Sequence, residues 1–376
     1  MQLLLAALPE SFRTFVLKVH SRCDLACDHC YVYESADQSW RGRPLTMSAE
    51  VARAVAYRID EHAAAHGLSS VNVVLHGGEP LLCGPAHLRA LLAILSGMSV
   101  RANLSVQTNG VRLDEAFLDL FDEFGVRVGV SMDGGRDAHD RHRRTRAGQG
   151  SYDRVRAAVR ELAARRGGFA GLLCTVDLRN DPVEVYEELI SHRPPAVDFL
   201  LPHGNWATPP PGRVPGLAGT PYADWLIAVF DRWYGAAERE TAVRIFDAIL
   251  ALLLGRRSGT EGIGPEPAAV VVVESDGSIE QSDALKSAYH GAPRTGLDVA
   301  RDPFDAVFAV PGAAVRLPPP SDCRACPHLR VCGGGHVAHR YRAGGFDHPS
   351  VYCPDLYRLI EHIGGRVAGD LARLRA

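Results

Sequence analysis

Between Thr14 and about His203 the chain alternates short β-branched runs with stretches whose apolar residues recur at helical spacing. Thr14–His20, Val71–His76, Asn103–Thr108, Val126–Met132, Gly171–Asp177 and Val197–Pro202 read as strands. Ala49–His66 carries Val51, Val55 and Ile59 on one face and stops near Gly67. Asp114–Phe124, Tyr152–Arg166 and Val183–His192 repeat that helical pattern. Six strands separated by helices predict right-handed βαβ units and a parallel sheet. At this length the expectation is an α/β fold, a partial (β/α)6 TIM-like barrel, with its active site at the carboxyl ends of the strands.

The Pro-rich break Thr208-Pro209-Pro210-Pro211-Gly212 ends that region. Tyr222–Tyr234 and Thr241–Leu254 then predict two amphipathic helices, with Tyr222, Trp225 and Trp233 read as core. Gly255–Pro267 reads as a linker. Ala269–Glu274 and Ser278–Gln281 flank Asp276-Gly277, a short-range hairpin signal. The expected organisation is a lead segment 1–12, a barrel 13–212, a helical connector 213–265 and a C-terminal domain 266–376.

Composition narrows the function. The chain has 376 residues, 46% hydrophobic and 23% charged, which excludes wholesale disorder. Its 41 basic and 44 acidic residues give a net charge of −3, too balanced for a dedicated nucleic-acid binder. Lys occurs only at Lys18 and Lys286; the other basic residues are Arg. No apolar run reaches the roughly 18–20 residues of a membrane span. The opening Met1–Pro9 lacks a basic n-region, so the expectation is a cytoplasmic protein without a targeting segment or membrane partner. The nine Cys fall in two tight groups, with Cys83 and Cys174 left over as packing residues. In a reducing compartment such grouping favours metal or cluster ligation over disulfides.

Cys23, Cys27 and Cys30 place three thiols within eight residues, directly after the first strand. Three thiolates suit a [4Fe–4S] cluster with one iron left open, and a structural zinc loop is the other reading of that spacing. Cys323-x2-Cys326-x5-Cys332 with the distant Cys353 supplies four thiolates, enough for one cluster or one tetrahedral zinc.

Further motifs follow in order. Cys23-x3-Cys27-x2-Cys30-Tyr31, His76-Gly77-Gly78-Glu79-Pro80, Gln107-Thr108-Asn109-Gly110, Val130-Ser131-Met132-Asp133-Gly134 and His139-Asp140-Arg141-His142-Arg143 together resemble the radical S-adenosylmethionine (SAM) superfamily. The second cysteine group resembles the SPASM domain found behind some radical SAM cores. The resemblance covers about residues 13 to 360. It implies that Cys23, Cys27 and Cys30 hold a SAM-binding [4Fe–4S] cluster. It also implies that Tyr31, Gly77, Gly78, Glu79, Pro80, Gln107, Asn109, Ser131 and Arg143 flank SAM. Glu79 would accept from the SAM ammonium, Ser131 would contact the ribose and Arg143 would lie near the methionine carboxylate.

A SPASM domain usually binds two auxiliary clusters, and this chain departs from that pattern. Gly277 leads to Ser282-Asp283 where the family has Cys-Asp, and His336 stands where a Cys should follow Cys332. The resemblance therefore implies one auxiliary [4Fe–4S] cluster, on Cys323, Cys326, Cys332 and Cys353, with His336 read as a hydrogen-bonding or packing residue and replacement ligation by His336 or Ser282 as the competing reading. Asp283 is a candidate catalytic base, with a turn Asp as the competing reading.

Segments such as Cys30-Tyr31-Val32-Tyr33-Glu34, Cys332–Tyr341 and Pro349–Cys353 resemble FxsB-type cyclophane-forming peptide maturases. That likeness implies a ribosomally synthesised precursor peptide as substrate and an electron donor such as a flavodoxin or ferredoxin. With few residues before the first strand, the peptide is expected to dock on the core, the SPASM region or a separate protein. Sulfatase maturation (formylglycine formation) and thioether formation are the rival enzyme readings. A zinc-bound structural or peptide-binding module is the non-enzyme one.

Overall fold

The computed structural model describes residues 11–165, 167–214, 219–266 and 269–375. Most of the expected lead segment, and Arg166 at the expected end of one helix, lie outside the described residues. The first half alternates strictly: β1 (Thr14–His20), α1 (Ala49–Ala65), β2 (Ser70–Gly77), α2 (Pro85–Ser96), β3 (Arg101–Thr108), α3 (Glu115–Phe124) and β4 (Arg127–Ser131). It continues through α4 (Arg136–His142), α5 (Tyr152–Ala164), β5 (Phe169–Thr175), α6 (Pro182–Ser191) and β6 (Ala196–Leu200). Side chains cap several helices: Ser48 accepts from the Val51 amide, Asp114 from Phe117, and Asp181 from Val183 and Glu184.

β1 to β6 lie side by side in chain order, every neighbouring pair parallel. Sequential parallel strands with helical crossovers are barrel winding, and here the sheet stays open. The fold is thus the expected partial α/β barrel. Val71, Val73 and Leu75 of β2 and Val128 and Val130 of β4 are buried on the face that the helices cover.

The second half adds α7 (Pro221–Tyr234), β7 (Ala242–Val243), α8 (Arg244–Leu253), β8 (Val270–Val273), β9 (Ser278–Glu280), β10 (Arg294–Asp298), α9 (Leu329–Cys332) and α10 (Cys353–Arg375). The expected hairpin forms as β8–β9. Its first strand pairs parallel to β1, so the sheet runs β10-β9-β8-β1-β2-β3-β4-β5-β6-β7. Thr241–Leu254 is not one helix: Ala242 and Val243 extend the sheet beside β6 before α8 starts. Tyr222, Trp225 and Trp233 are buried in the core, as is Cys174, while Cys83 packs against it partly covered.

The GGEP segment closes the β1–β2 end by main-chain contact. The Gly78 amide donates to His20 O at 2.8 Å and the Glu79 amide to Arg22 O at 2.9 Å. A Cβ on Gly78 would fall 2.4 Å from Arg22 O and would also meet the Tyr33 hydroxyl. Only glycine permits that approach. Gly78→Ala should therefore cost about 1–3 kcal/mol of stability, the usual penalty for overpacking, read as a lower denaturant midpoint.

Candidate functional site

All six parallel strands end at one cavity of about 380 Å³. Its wall includes His76–Gly78 at the end of β2, Gln107–Asn109 at the end of β3, Ser131 of β4, Thr175 of β5 and Asp198–His203 from β6 onward. The loop after β1 brings Cys23, Cys27, Cys30 and Tyr31 to the same space, and Arg143 faces it from beyond α4. The C-terminal region adds Ser282, Asp283, His336 and His339. The expected site residues are thus brought together, apart from Glu79 and Pro80, which stand behind the wall, and the second cysteine group, which forms its own site.

Glu79 is fully buried and braces the wall. One carboxylate oxygen accepts from the Leu81 amide at 3.0 Å and the Thr108 hydroxyl at 2.7 Å; the other accepts from the Asn109 amide at 2.8 Å. Burial pushes its pKa up to about 7 against the pull of those donors. Arg143 likewise has a protein partner, donating to Asp133 at 2.6 and 3.1 Å. Asp133 also accepts from the Thr175 amide, tying β4 to β5. Gln107 donates to the Ser131 hydroxyl at 3.1 Å, and Asn109 donates to Asp24 at 2.8 Å beside Cys23.

Asp283 is ion-paired with Lys18 of β1 and accepts from the Tyr31 hydroxyl at 3.1 Å. Burial disfavours its charge, but Lys18 and His76 outweigh that and hold its pKa well below the carboxylate range. His76 lies 3.1 Å from Lys18; burial and that ammonium lower its pKa to about 4, so it is the neutral acceptor. Asp283 is therefore a fixed carboxylate at the cavity, held by Lys18 and Tyr31.

Sequence reading missed a second polar group here. His336 lies 2.9 Å from the Glu261 carboxylate, and the Ser282 side chain is near enough to that carboxylate to help hold its charge. His203 contacts His339 at 3.1 Å, and its ring stands edge-on to Tyr31 at 4.7 Å. The two positions that depart from the SPASM cysteine pattern are thus joined through Glu261. That residue lies in the Gly/Pro linker, where no pattern flagged it. Lys18 had one signal, a lone Lys in an apolar strand of an Arg-rich chain.

The donor sets fit the expected metal groups. Cys23, Cys27 and Cys30 converge on the cavity with no fourth Cys among its lining residues, a three-thiol set that leaves one corner open. Cys323, Cys326, Cys332 and Cys353 surround a separate small cavity. Beside it Arg340 is buried, and the partners of its guanidinium are the carbonyls of Pro318, Gly333, Gly334 and Gly335. A buried cation without a carboxylate suits an anionic tetrathiolate centre next to it.

The profile of the Radical SAM superfamily matches residues 17–188. The serine-type anaerobic sulfatase-maturating enzyme of Klebsiella aerogenes is 25% identical over 372 residues, covering 96% of this chain and 88% of the relative. The cysteine-type enzyme of Clostridium perfringens is 24% identical over 326 residues, 84% of this chain and 86% of the relative. Among solved structures, native anSMEcpe with bound AdoMet aligns with a TM-score of 0.80 at 21% identity, covering 95% of this chain and 98% of that one. Streptococcus suis SuiB bound to precursor peptide SuiA aligns at 0.61 and 13% identity, covering 91% and 76%. The match to the radical SAM superfamily lies in residues 17–188, and the protein is a radical SAM enzyme, a class that works with SAM on a [4Fe–4S] cluster.

Glu79→Gln tests the bracing role. An amide must turn an N–H toward donors that now meet oxygen, so stability should fall by about 1–3 kcal/mol in urea unfolding. An unchanged midpoint would mean that Glu79 does not hold the wall.

Proposed function

We propose that the protein is a peptide maturase that removes hydrogen from a side-chain carbon of a ribosomally made precursor peptide and joins that carbon to a nearby aromatic ring. The observation that carries the reading is the Ser282–Glu261–His336 group at the cavity. It stands where a two-cluster SPASM domain would use cysteines and leaves one four-cysteine set, the arrangement expected of cyclophane-forming enzymes. A peptide as substrate is supported by the relatives' names and by the peptide-bound neighbours, anSMEcpe with the Kp18Cys peptide and SuiB with SuiA.

In this reading Cys23, Cys27 and Cys30 hold the SAM cluster. Tyr31, Gly77, Gly78, Gln107, Asn109, Ser131 and Arg143 line the SAM pocket, with Glu79 and Pro80 supporting it. Cys323, Cys326, Cys332 and Cys353 hold the auxiliary cluster. Reductive cleavage of bound SAM supplies the 5′-deoxyadenosyl radical that takes one hydrogen atom from the peptide. After the carbon radical adds to the ring, restoring aromaticity releases one electron and one proton. An auxiliary cluster on the four cysteines would be the acceptor for that electron, and a flavodoxin or ferredoxin would be the donor of the one that starts the cycle.

Asp283 takes the proton. Lys18 makes it a weak base, and a weak base suffices because an oxidised ring adduct is a very strong acid. Lys18 also keeps the carboxylate aimed by fixing it in a part-buried pair.

Formylglycine formation is the second reading, favoured by the near-full-length likeness to sulfatase-maturating enzymes. Anaerobic incubation with SAM, reductant and a short peptide encoded beside the gene separates the two. Cross-linking removes two hydrogens and leaves no aldehyde. Formylglycine from serine also removes two hydrogens but yields a product that a hydrazide traps, and from cysteine it removes the sulfur. The expected result is the two-hydrogen loss without hydrazone, absent for Cys27→Ala, which should also stop making 5′-deoxyadenosine. A hydrazone-forming or unchanged peptide contradicts the cross-linking assignment.

A further inference from the structure

A second group of potential ligands lies at the opposite end of the barrel. His62 and His66 sit four residues apart on the last turn of α1 and its cap, on one helix face. Asp305, from the turn Phe304–Ala309 that follows β10, reaches both. One of its carboxylate oxygens lies 2.8 Å from His62 Nδ1 and 3.0 Å from His66 Nε2. The three ligand atoms lie within 4.8 Å of one another.

The His62 ring is in a constrained position. Its side chain is 1% exposed, and Nε2 is engaged by the Phe12 main chain, 3.0 Å from the amide and 3.2 Å from the carbonyl. Nδ1 is buried and has no hydrogen-bond partner, although the carboxylate oxygen is so close. With Nε2 accepting from the Phe12 amide, Nδ1 carries the ring proton toward the Asp305 oxygen; a metal on Nδ1 would take that place and move the proton to Nε2, where the Phe12 carbonyl accepts it. A metal-ligating His donates its other N–H to a backbone carbonyl in this way.

We propose that His62, His66 and Asp305 form a zinc site. Two imidazole nitrogens and one carboxylate oxygen, with a fourth position open to water, suit zinc and disfavour magnesium or calcium, which want all-oxygen shells. Asp305 and His66 are partly exposed, which gives the ion a path in. The site clips the C-terminal segment to the barrel. Apolar packing already sets the approach: Phe304 lies against Phe15 at 4.8 Å, and Phe308 stacks on Phe12 at 4.5 Å. The ion would lock what those rings position, far from the mouth where the cysteines lie.

The test uses tag-free, cluster-loaded enzyme equilibrated with zinc chloride and then gel-filtered, with zinc and iron counted per chain. The expected result is about one zinc in the wild type and none in His66→Ala or in Asp305→Asn, with iron and SAM cleavage unchanged in both. These two residues are chosen because His62 also holds the Phe12 main chain. Added zinc should raise the wild-type Tm and leave that of both variants where it was. Wild-type enzyme that retains no zinc, or variants that retain as much as the wild type, would overturn the assignment.

Discussion

The Lys18–Asp283 ion pair is the constraint on which the site depends. Its partners are 265 positions apart, one in the first barrel strand and one after the β8–β9 hairpin. Lys18 is buried and Asp283 partly so, and removing one partner would strand the other charge at a cost approaching the roughly 3–5 kcal/mol of a fully buried pair. The pair therefore fixes the C-terminal region over the barrel mouth. It also gathers the chemistry: Tyr31 reaches Asp283 from the cysteine loop, and His76 reaches Lys18 from the end of β2. Four segments thus meet on one pair of charges, and the cavity is the space they enclose with the strand ends.

The same logic explains the charge usage of the chain. The only two Lys, Lys18 and Lys286, are 3% and 2% exposed. Lys286 bonds to Glu274 and Glu280, which brackets the hairpin from inside as Lys18 brackets the mouth. A compact ammonium fits among converging carboxylates where a planar guanidinium needs a flat partner. Arg340 is the complementary case, a guanidinium fanned over successive glycine carbonyls beside thiols.

Much of the barrel was legible because its strands are apolar runs set between amphipathic helices. The predicted ends fall within about two residues of the observed ones, and the β8–β9 turn follows its Asp-Gly signal. β7 escaped because two residues carry no periodicity, and its apolar pair merged with the helix after it. The pairing of β8 with β1 had no local signature, since a parallel contact between distant segments leaves no trace in spacing. At the site, the cysteines and strand-end motifs announced themselves by type and interval. Glu261, His203 and His339 did not, because their meaning arises only when the linker and the C-terminal region fold over the barrel. Glu79 was legible as a motif, and its geometry adds a bracing role: its carboxylate is already engaged by Leu81, Thr108 and Asn109 within the wall.

The central claim is that the two cysteine groups are separate sites, one with three sulfurs and one with four, each built for a cluster. Iron and acid-labile sulfide should be counted on anaerobically purified protein, beside a variant with Cys23, Cys27 and Cys30 changed to Ala and another with Cys323 and Cys326 changed to Ala. The account predicts about eight Fe in the wild type and about four in each variant, since each [4Fe–4S] centre is lost independently. Iron-free wild-type protein, or zinc in place of iron at the cysteines, would contradict it.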